Sequence, residues 1–229
     1  MGRRTGSDES LNAMSEFPRI SMEGAGAILI DAAEGAFSPQ VQERVWAVAA
    51  AALGIAGVRE AVPGMNNLMI VFDPLTLDPQ TFEQALAVLW RDTMPGETAG
   101  REIEVPVDYG GEDLAVLADH SGLSPEEVVA IHSGAIYSVA AVGAMPGFVY
   151  LSGLDPRLAM PRRAVPRMTV AVGSVIIGGA QAGIMPVTAP SGWHIIGRTS
   201  FVLFDATREP PAAFRPGDRI RFRPERIRP

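Results

Sequence analysis

Residues Gly179–Thr199 include four glycines, two prolines and no carboxylate, with single copies of Gln181, Trp193, His194 and Arg198 among them. Arginine and glutamine beside flexible backbone can hold an anion, because a guanidinium fork binds carboxylate or phosphate in a bidentate way. The same composition also suits the tight turns of a barrel. The acid-free region extends further: from Pro156 through Phe204 there is no Asp or Glu, while Arg157, Arg162, Arg163, Arg167 and Arg198 all occur. In a chain of formal net charge -7, this asymmetry has two readings. Either the arginines cradle a negative ligand, or they pair with carboxylates that the fold brings in from elsewhere.

The other chemistry-bearing residues are sparse. His120 follows Asp119 near one helix end, His132 closes the next helical pattern, and His194 sits in a strand pattern. Their spacing is not that of a metal site. His132 is the better general-base candidate because it leads into the strands that follow, set against the ordinary dipole-matched role of a histidine at a helix end. Ser191 has no G-x-S-x-G context, and neither Gly110–Gly111 nor Gly178–Gly179 forms a G-x-G-x-x-G fingerprint. The segment Met145–Leu158 presents Phe148 and Tyr150 from the rigid Pro146–Gly147 turn, either for a ligand or as barrel plugs.

All 19 basic residues are arginine and there is no cysteine. That excludes a phosphate-loop lysine, Schiff-base chemistry, thiol nucleophiles, disulfides and zinc–thiolate centres. The acidic balance argues against a nucleic-acid partner. The run Val45–Val58 is interrupted by Gly54 and Gly57 and falls short of the ~20 residues of a membrane span. The opening MGRRTGSDESLNAM lacks the apolar core of an export signal. A soluble, cytoplasmic protein is the expectation.

The elements that must position these residues fall into two groups. Residues 1–19 read as a flexible N-terminal segment. In 20–95, the order β-α-β-β-α is legible: a strand at Ala27–Ile30, a helix from the cap Ser38 and Pro39 to Gly54, strands near Val58–Val62 and Asn67–Phe72, and a helix opened by Asp78 and Pro79. This predicts a small ferredoxin-like α/β domain. A linker at 91–100 leads to a second domain over 100–229, which opens with a strand alternating Ile103, Val105 and Val107. Two short helices follow, then short strands including YSVAAVG, MTVAV, SVIIGG, HIIGRT, SFVLFD and DRIRFRP. The fold class expected is α+β, its second part a barrel or sandwich.

Several motifs in order carry a family resemblance: AVPGMNNLMIVFDP, EIEVPVDYGGEDLAVLADHSGLSPEEVVAIHSGAIYSV, MPGFVYLSGLDPRLAMPRRAVPR, AVGSVIIGGAQAGIMP, APSGWHIIGRT and LFD. The chain thereby resembles the allophanate hydrolase subunit 1 family, also called carboxyltransferase domain subdomain C and D. The resemblance implies a cyclophilin-like β-barrel for the second domain. It implies work in a heteromeric complex with two companions: a homologous second barrel subunit of the allophanate hydrolase subunit 2 type, and a lactam-utilisation subunit. It further implies membership of an ATP-dependent 5-oxoprolinase that opens 5-oxo-L-proline to L-glutamate, this chain being inactive alone. ATP is then the cofactor of the complex, with no metal or biotin attached to this chain. Alternatives within the family are the carboxyltransferase half of a biotin-dependent urea-type carboxylase and a binding module that inhibits a histidine kinase.

Within these motifs the expected half-site for a small-molecule substrate comprises Pro146, Gly147, Phe148, Arg162, Arg163, Arg167, Gln181, Gly183, Pro190, Gly192, Trp193 and Arg198. Arg198, His132 and Gln181 are the best catalytic candidates. The chain departs from the family's usual pattern at Val149, Ala182, Met185, Ala189 and Ser191, and two of these changes remove hydroxyls.

Overall fold

The chain is described by a computed structural model over residues 18–96 and 100–228. All but the last two residues of the flexible segment expected over 1–19, and part of the linker, therefore lie outside the described residues. The first sheet consists of β1 (Arg19–Met22), β2 (Ala27–Asp31), β3 (Val58–Pro63) and β4 (Asn67–Phe72), in the order β1-β2-β4-β3. All its pairings are antiparallel. One face is covered by α1 (Pro39–Ala52) and α2 (Pro79–Asp92), which start as the sequence predicts. The Ser38 hydroxyl accepts from Val41 N–H, and the Asp78 carboxylate accepts from Thr81 N–H. Val45, Val48, Leu86 and Trp90 meet Ile28, Ile30, Leu68 and Ile70 in its core. The βαββα order is the ferredoxin-like one. Strand β1 adds an outer strand beside β2 that the sequence does not reveal, because its four residues are too short to show a period.

The second part is a closed barrel. Its strands are β5 (Glu102–Tyr109), β6 (Ile136–Val142), β7 (Val149–Ser152), β9 (Ser174–Gly178), β10 (Gln181–Ile184), β12 (His194–Arg198) and β13 (Arg219–Ile227), in the order β10-β7-β6-β13-β5-β12-β9. Only the β5–β13 pairing is parallel. Helices α3 (Leu114–Ser121) and α4 (Pro125–Gly134) connect β5 to β6 and pack on β12 and β13. A full capping box of Ser124 and Glu127 starts α4.

Two short strands, β8 (Arg167–Val170) and β11 (Ala189–Ser191), pair only with each other. They belong to a second apolar layer outside the barrel, built by Phe148, Val170, Ile176, Met185, Trp193 and Ile195. Strand β9 is thus buried on both faces: Val175 and Ile177 enter the barrel core, Ile176 the outer layer. That is why SVIIGG reads as a continuous apolar run rather than an alternating one.

The expectation of a strand at SFVLFD is corrected. Only an isolated bridge joins Phe204 to Ala212 there. The facing segment contains Pro210 and Pro211, which have no N–H to give to a ladder.

The two parts are tied through α1. The Gln42 side-chain amide donates to Gly64 O at 2.9 Å and to Ala140 O at 3.0 Å, and its Oε1 accepts from Asn66 N–H at 2.7 Å. The Trp46 indole N–H donates to the same Ala140 carbonyl at 3.0 Å.

Candidate functional site

A two-residue hairpin joins β9 to β10, with Gly179 at φ +63 and Gln181 directly opposite Gly178. Only glycine adopts such a turn position without strain. Gly178 has a different reason: a Cβ there would lie 2.5 Å from the Trp193 ring. Trp193 therefore lies flat against the hairpin, edge-on to Phe148 and Tyr150 at ring separations of 5.8 and 6.2 Å. Phe148 and Trp193 are both buried in the outer layer. Their role is to brace the hairpin that carries Gln181.

Segment 160–167 is stitched down along its length. Met160 and Gly179 exchange backbone hydrogen bonds of 3.1 and 2.7 Å. The Pro161 carbonyl accepts from His194 Nε2 at 2.9 Å, and Arg163 N–H donates to Gly192 O at 2.8 Å. Below it lies Asp113, only 2% exposed. Its carboxylate accepts from Arg167 at 2.7 and 2.8 Å, from Arg163 at 3.3 Å and from Ile195 N–H at 2.7 Å. Burial alone would raise the Asp113 pKa, but the hydrogen bonds from Arg167 and the Ile195 N–H, with the arginine charge, hold it below the usual value. Asp113 occupies the N-cap position of α3 but makes no cap hydrogen bond, since its oxygens face this strap.

Pinned on both sides, Arg162 extends over Trp193, its guanidinium carbon 5.4 Å from the ring centroid. It makes no ion pair among the described residues. Arg162 and Gln181 line one cleft of about 560 Å3, together with Ser152, Gly178 and Gly179 from the barrel and Gly35, Phe37 and Met65 from the first part. Its lining holds one charged side chain, Arg162, and no carboxylate, histidine or thiol. Such a cleft can hold and orient an anion or a polar amide. By itself it offers no general base and no strong nucleophile.

The remaining expected site residues disperse. Arg163 and Arg167 are committed to Asp113 and follow the pairing alternative, whereas Arg157 pairs at 2.7 Å with its chain neighbour Asp155. Arg198, at the end of β12, is exposed and lines a different cleft beside Asp108. Pro146 and Pro190 are exposed, and Gly183 is buried against Phe148 and Trp193. Gly192 anchors Arg163 through its carbonyl, and Gly147, at φ +80, abuts Leu203 and Phe204.

His132 is fully buried among Tyr109, Tyr137 and Phe222, with the Tyr109 hydroxyl 2.8 Å from its Nδ1. Burial lowers its pKa to about 3, so it is neutral at ordinary pH, and it lines neither cleft. No group of three His, Cys, Asp or Glu among the described residues is arranged to hold a metal. No helix among them is long and apolar enough to cross a membrane.

Sequence reasoning missed Asp113 and the wall from the first part. An aspartate ahead of a helix looks like any cap, and only chain crossing brings Gly35–Phe37 and Met65 to the hairpin.

Residues 18–214 match the family described as carboxyltransferase domain, subdomain C and D. The chain belongs to that family. Among relatives of this carboxyltransferase-domain chain, the 5-oxoprolinase B subunit of Escherichia coli O157:H7 is 44% identical over 81% of the chain and 86% of that protein. The protein of the same description from Haemophilus influenzae is 42% identical over 81% of the chain and 88% of that protein. Among solved structures, TTHA0988 superposes with a TM-score of 0.77 at 36% identity, over 88% of the chain. The chain spans only 40% of TTHA0988, which is a much longer polypeptide. The urea amidolyase of K. lactis shares the fold at a TM-score of 0.76 and 19% identity, over 93% of this chain and 15% of that one.

The departures from the family pattern fall mainly on packing positions. Ala182 is in the barrel core, Met185 in the outer layer, and the Ser191 hydroxyl accepts from Trp193 N–H at 3.2 Å.

Proposed function

We propose that this chain is the B subunit of a 5-oxoprolinase, supplying one wall of a site that opens 5-oxo-L-proline to L-glutamate with ATP. The observation that carries the reading is the composition of the larger cleft. It offers one held guanidinium, one carboxamide, the Ser152 hydroxyl and glycine-rich backbone, but no carboxylate or histidine among its lining residues to act as general base. Arg162 is suited to the carboxylate of 5-oxoproline and Gln181 to its lactam amide. The groups that activate the lactam come from companion subunits, and the chain alone is inactive.

The residues of this chain do not fit the triphosphate. There is no lysine and no phosphate loop, and no described cluster of carboxylates suits a magnesium ion. Nucleotide chemistry accordingly belongs to one of the companions. What this chain's residues do is bind and orient. Arg162, lying over Trp193 and pinned through its neighbours, fixes the anionic end of the substrate. Gln181, on the braced hairpin, fixes the amide.

The test is glutamate release from 5-oxoproline and ATP, with the chain alone and with companion 5-oxoprolinase subunits added. Turnover is expected only in the mixture. Arg162→Ala and Gln181→Ala, each assembled normally, are expected to lower kcat/KM by about 10- to 100-fold, as for one or two lost charged or polar contacts. Full turnover by both variants in an intact complex would remove this cleft from the reaction. A stable complex that is silent with wild-type chain would remove the 5-oxoprolinase reading itself.

A further inference from the structure

A second cleft, of about 250 Å3, opens at the far end of β12. It is lined by Asp108, Gly110, Gly111, Ile195, Arg198 and Arg228, among others. Glycines shape its floor. A Cβ on Gly111 would lie 2.5 Å from Ile195 O, one on Gly110 2.7 Å from Arg228 O, and one on Gly197 2.9 Å from Asp108 O. The backbones therefore approach more closely than any side chain permits, which leaves the hollow above them.

The charges in this hollow are uncompensated in an unusual way. Asp108 lies directly across from Arg198 on β12 and from Arg226 on β13. Opposite charges in such register normally join. Among the described residues, Asp108 forms an ion pair with neither, and its Oδ1 is buried without any hydrogen-bond partner. Arg198 and Arg228 likewise have no carboxylate partner among the described residues. Only Glu112, at the rim, is engaged, with Arg167 at 3.2 Å. The cleft thus presents a half-buried carboxylate that neither facing arginine neutralises, beside two exposed guanidinium groups with no carboxylate partner among the described residues, an arrangement suited to a ligand that carries both charges.

We propose that this cleft binds a free α-amino acid. Its ammonium group meets Asp108, and its carboxylate meets the forks of Arg198 and Arg228. A zwitterion satisfies both signs at once, whereas a simple anion leaves Asp108 repelled and unpaired. The site therefore discriminates by the charge on nitrogen. A lactam such as 5-oxoproline has a carboxylate but an uncharged amide N–H, and forgoes the charge-assisted contact to Asp108. The ligand class stands on this cleft alone. L-glutamate as the occupant, and hence product sensing, rests on the 5-oxoprolinase reading.

The experiment is calorimetric titration of the full chain with L-glutamate, L-alanine and 5-oxo-L-proline. Repeats with Asp108→Asn and with the exposed Arg198→Ala follow, and circular dichroism checks that each variant is folded. Both amino acids are expected to bind, with 5-oxoproline weaker by roughly tenfold or more, and each variant is expected to weaken amino-acid binding by a similar factor. Failure of both amino acids to bind at millimolar concentration would overturn the proposal. So would equal affinity for 5-oxoproline, or an unchanged affinity in folded Arg198→Ala. Binding of alanine but not glutamate would keep the amino-acid site and remove only the product-sensing role.

Discussion

Asp113 determines what the arginines of the acid-free stretch can do. By accepting from Arg163, Arg167 and the Ile195 N–H, it anchors the strap that presents Arg162. Asp113→Ala leaves two guanidinium groups facing each other and one buried N–H without a partner. A loss of ~3 kcal/mol is expected, the low end for a buried ion pair because the arginines remain partly solvated, read from urea denaturation. Arg162→Ala, by contrast, is expected to leave the urea midpoint nearly unchanged. His132 sets a second, pH-dependent contribution. Its pKa is about 3 when folded and about 6.5 when unfolded, so between those values the unfolded chain binds more protons. Its contribution is complete above pH 6.5 and is lost as pH falls toward 3. His132→Phe is expected to flatten the stability profile between pH 7 and pH 5, where the wild type loses up to about 1.4 kcal/mol per pH unit. Identical slopes for the two proteins would refute this. His132 was legible as a helix-end histidine, but its burial depends on Tyr109 and Phe222, which are distant along the chain.

Helices were the most legible elements, because Ser38, Asp78 and Ser124 each precede a proline at the first helical position and each caps its helix as expected. Barrel strands were less so. The four-residue β7 and β10 are too short for periodicity, and β8 has strand composition yet lies outside the barrel. The β9–β10 hairpin depends on Trp193 lying against Gly178. Gly178→Ala is expected to push the indole aside, to cost about 1–3 kcal/mol by overpacking, and to shift tryptophan emission. An unshifted spectrum with unchanged stability would mean that the hairpin is not braced in this way.

Across the whole molecule, the larger cleft exists only because the first part is held against the barrel. Gln42 connects Gly64, Asn66 and Ala140, and Trp46 reinforces the Ala140 contact. Gln42→Ala is expected to destabilise by about 1–3 kcal/mol and to raise hydrogen exchange in β3 and β6, where the two parts touch. Unchanged protection in both strands would argue against Gln42 as the tie. Gln42 was not legible, since a glutamine within an apolar helix face carries no local sign that its amide will meet a carbonyl 98 residues away. The sequence by itself determined the α+β class, the βαββα order, the capped helices and the family, because these rest on local chain preferences and on ordered motifs. It also determined which chemistries are absent, since a chain without lysine or cysteine cannot perform theirs. Only the tertiary structure decided that Arg163 and Arg167 are committed while Arg162 is free, because their partner Asp113 lies 50 and 54 residues away along the chain. It separated Arg162 from Arg198 into different clefts and buried His132. Charge pairing and burial are properties of neighbours in space, and the closing of the barrel chooses those neighbours.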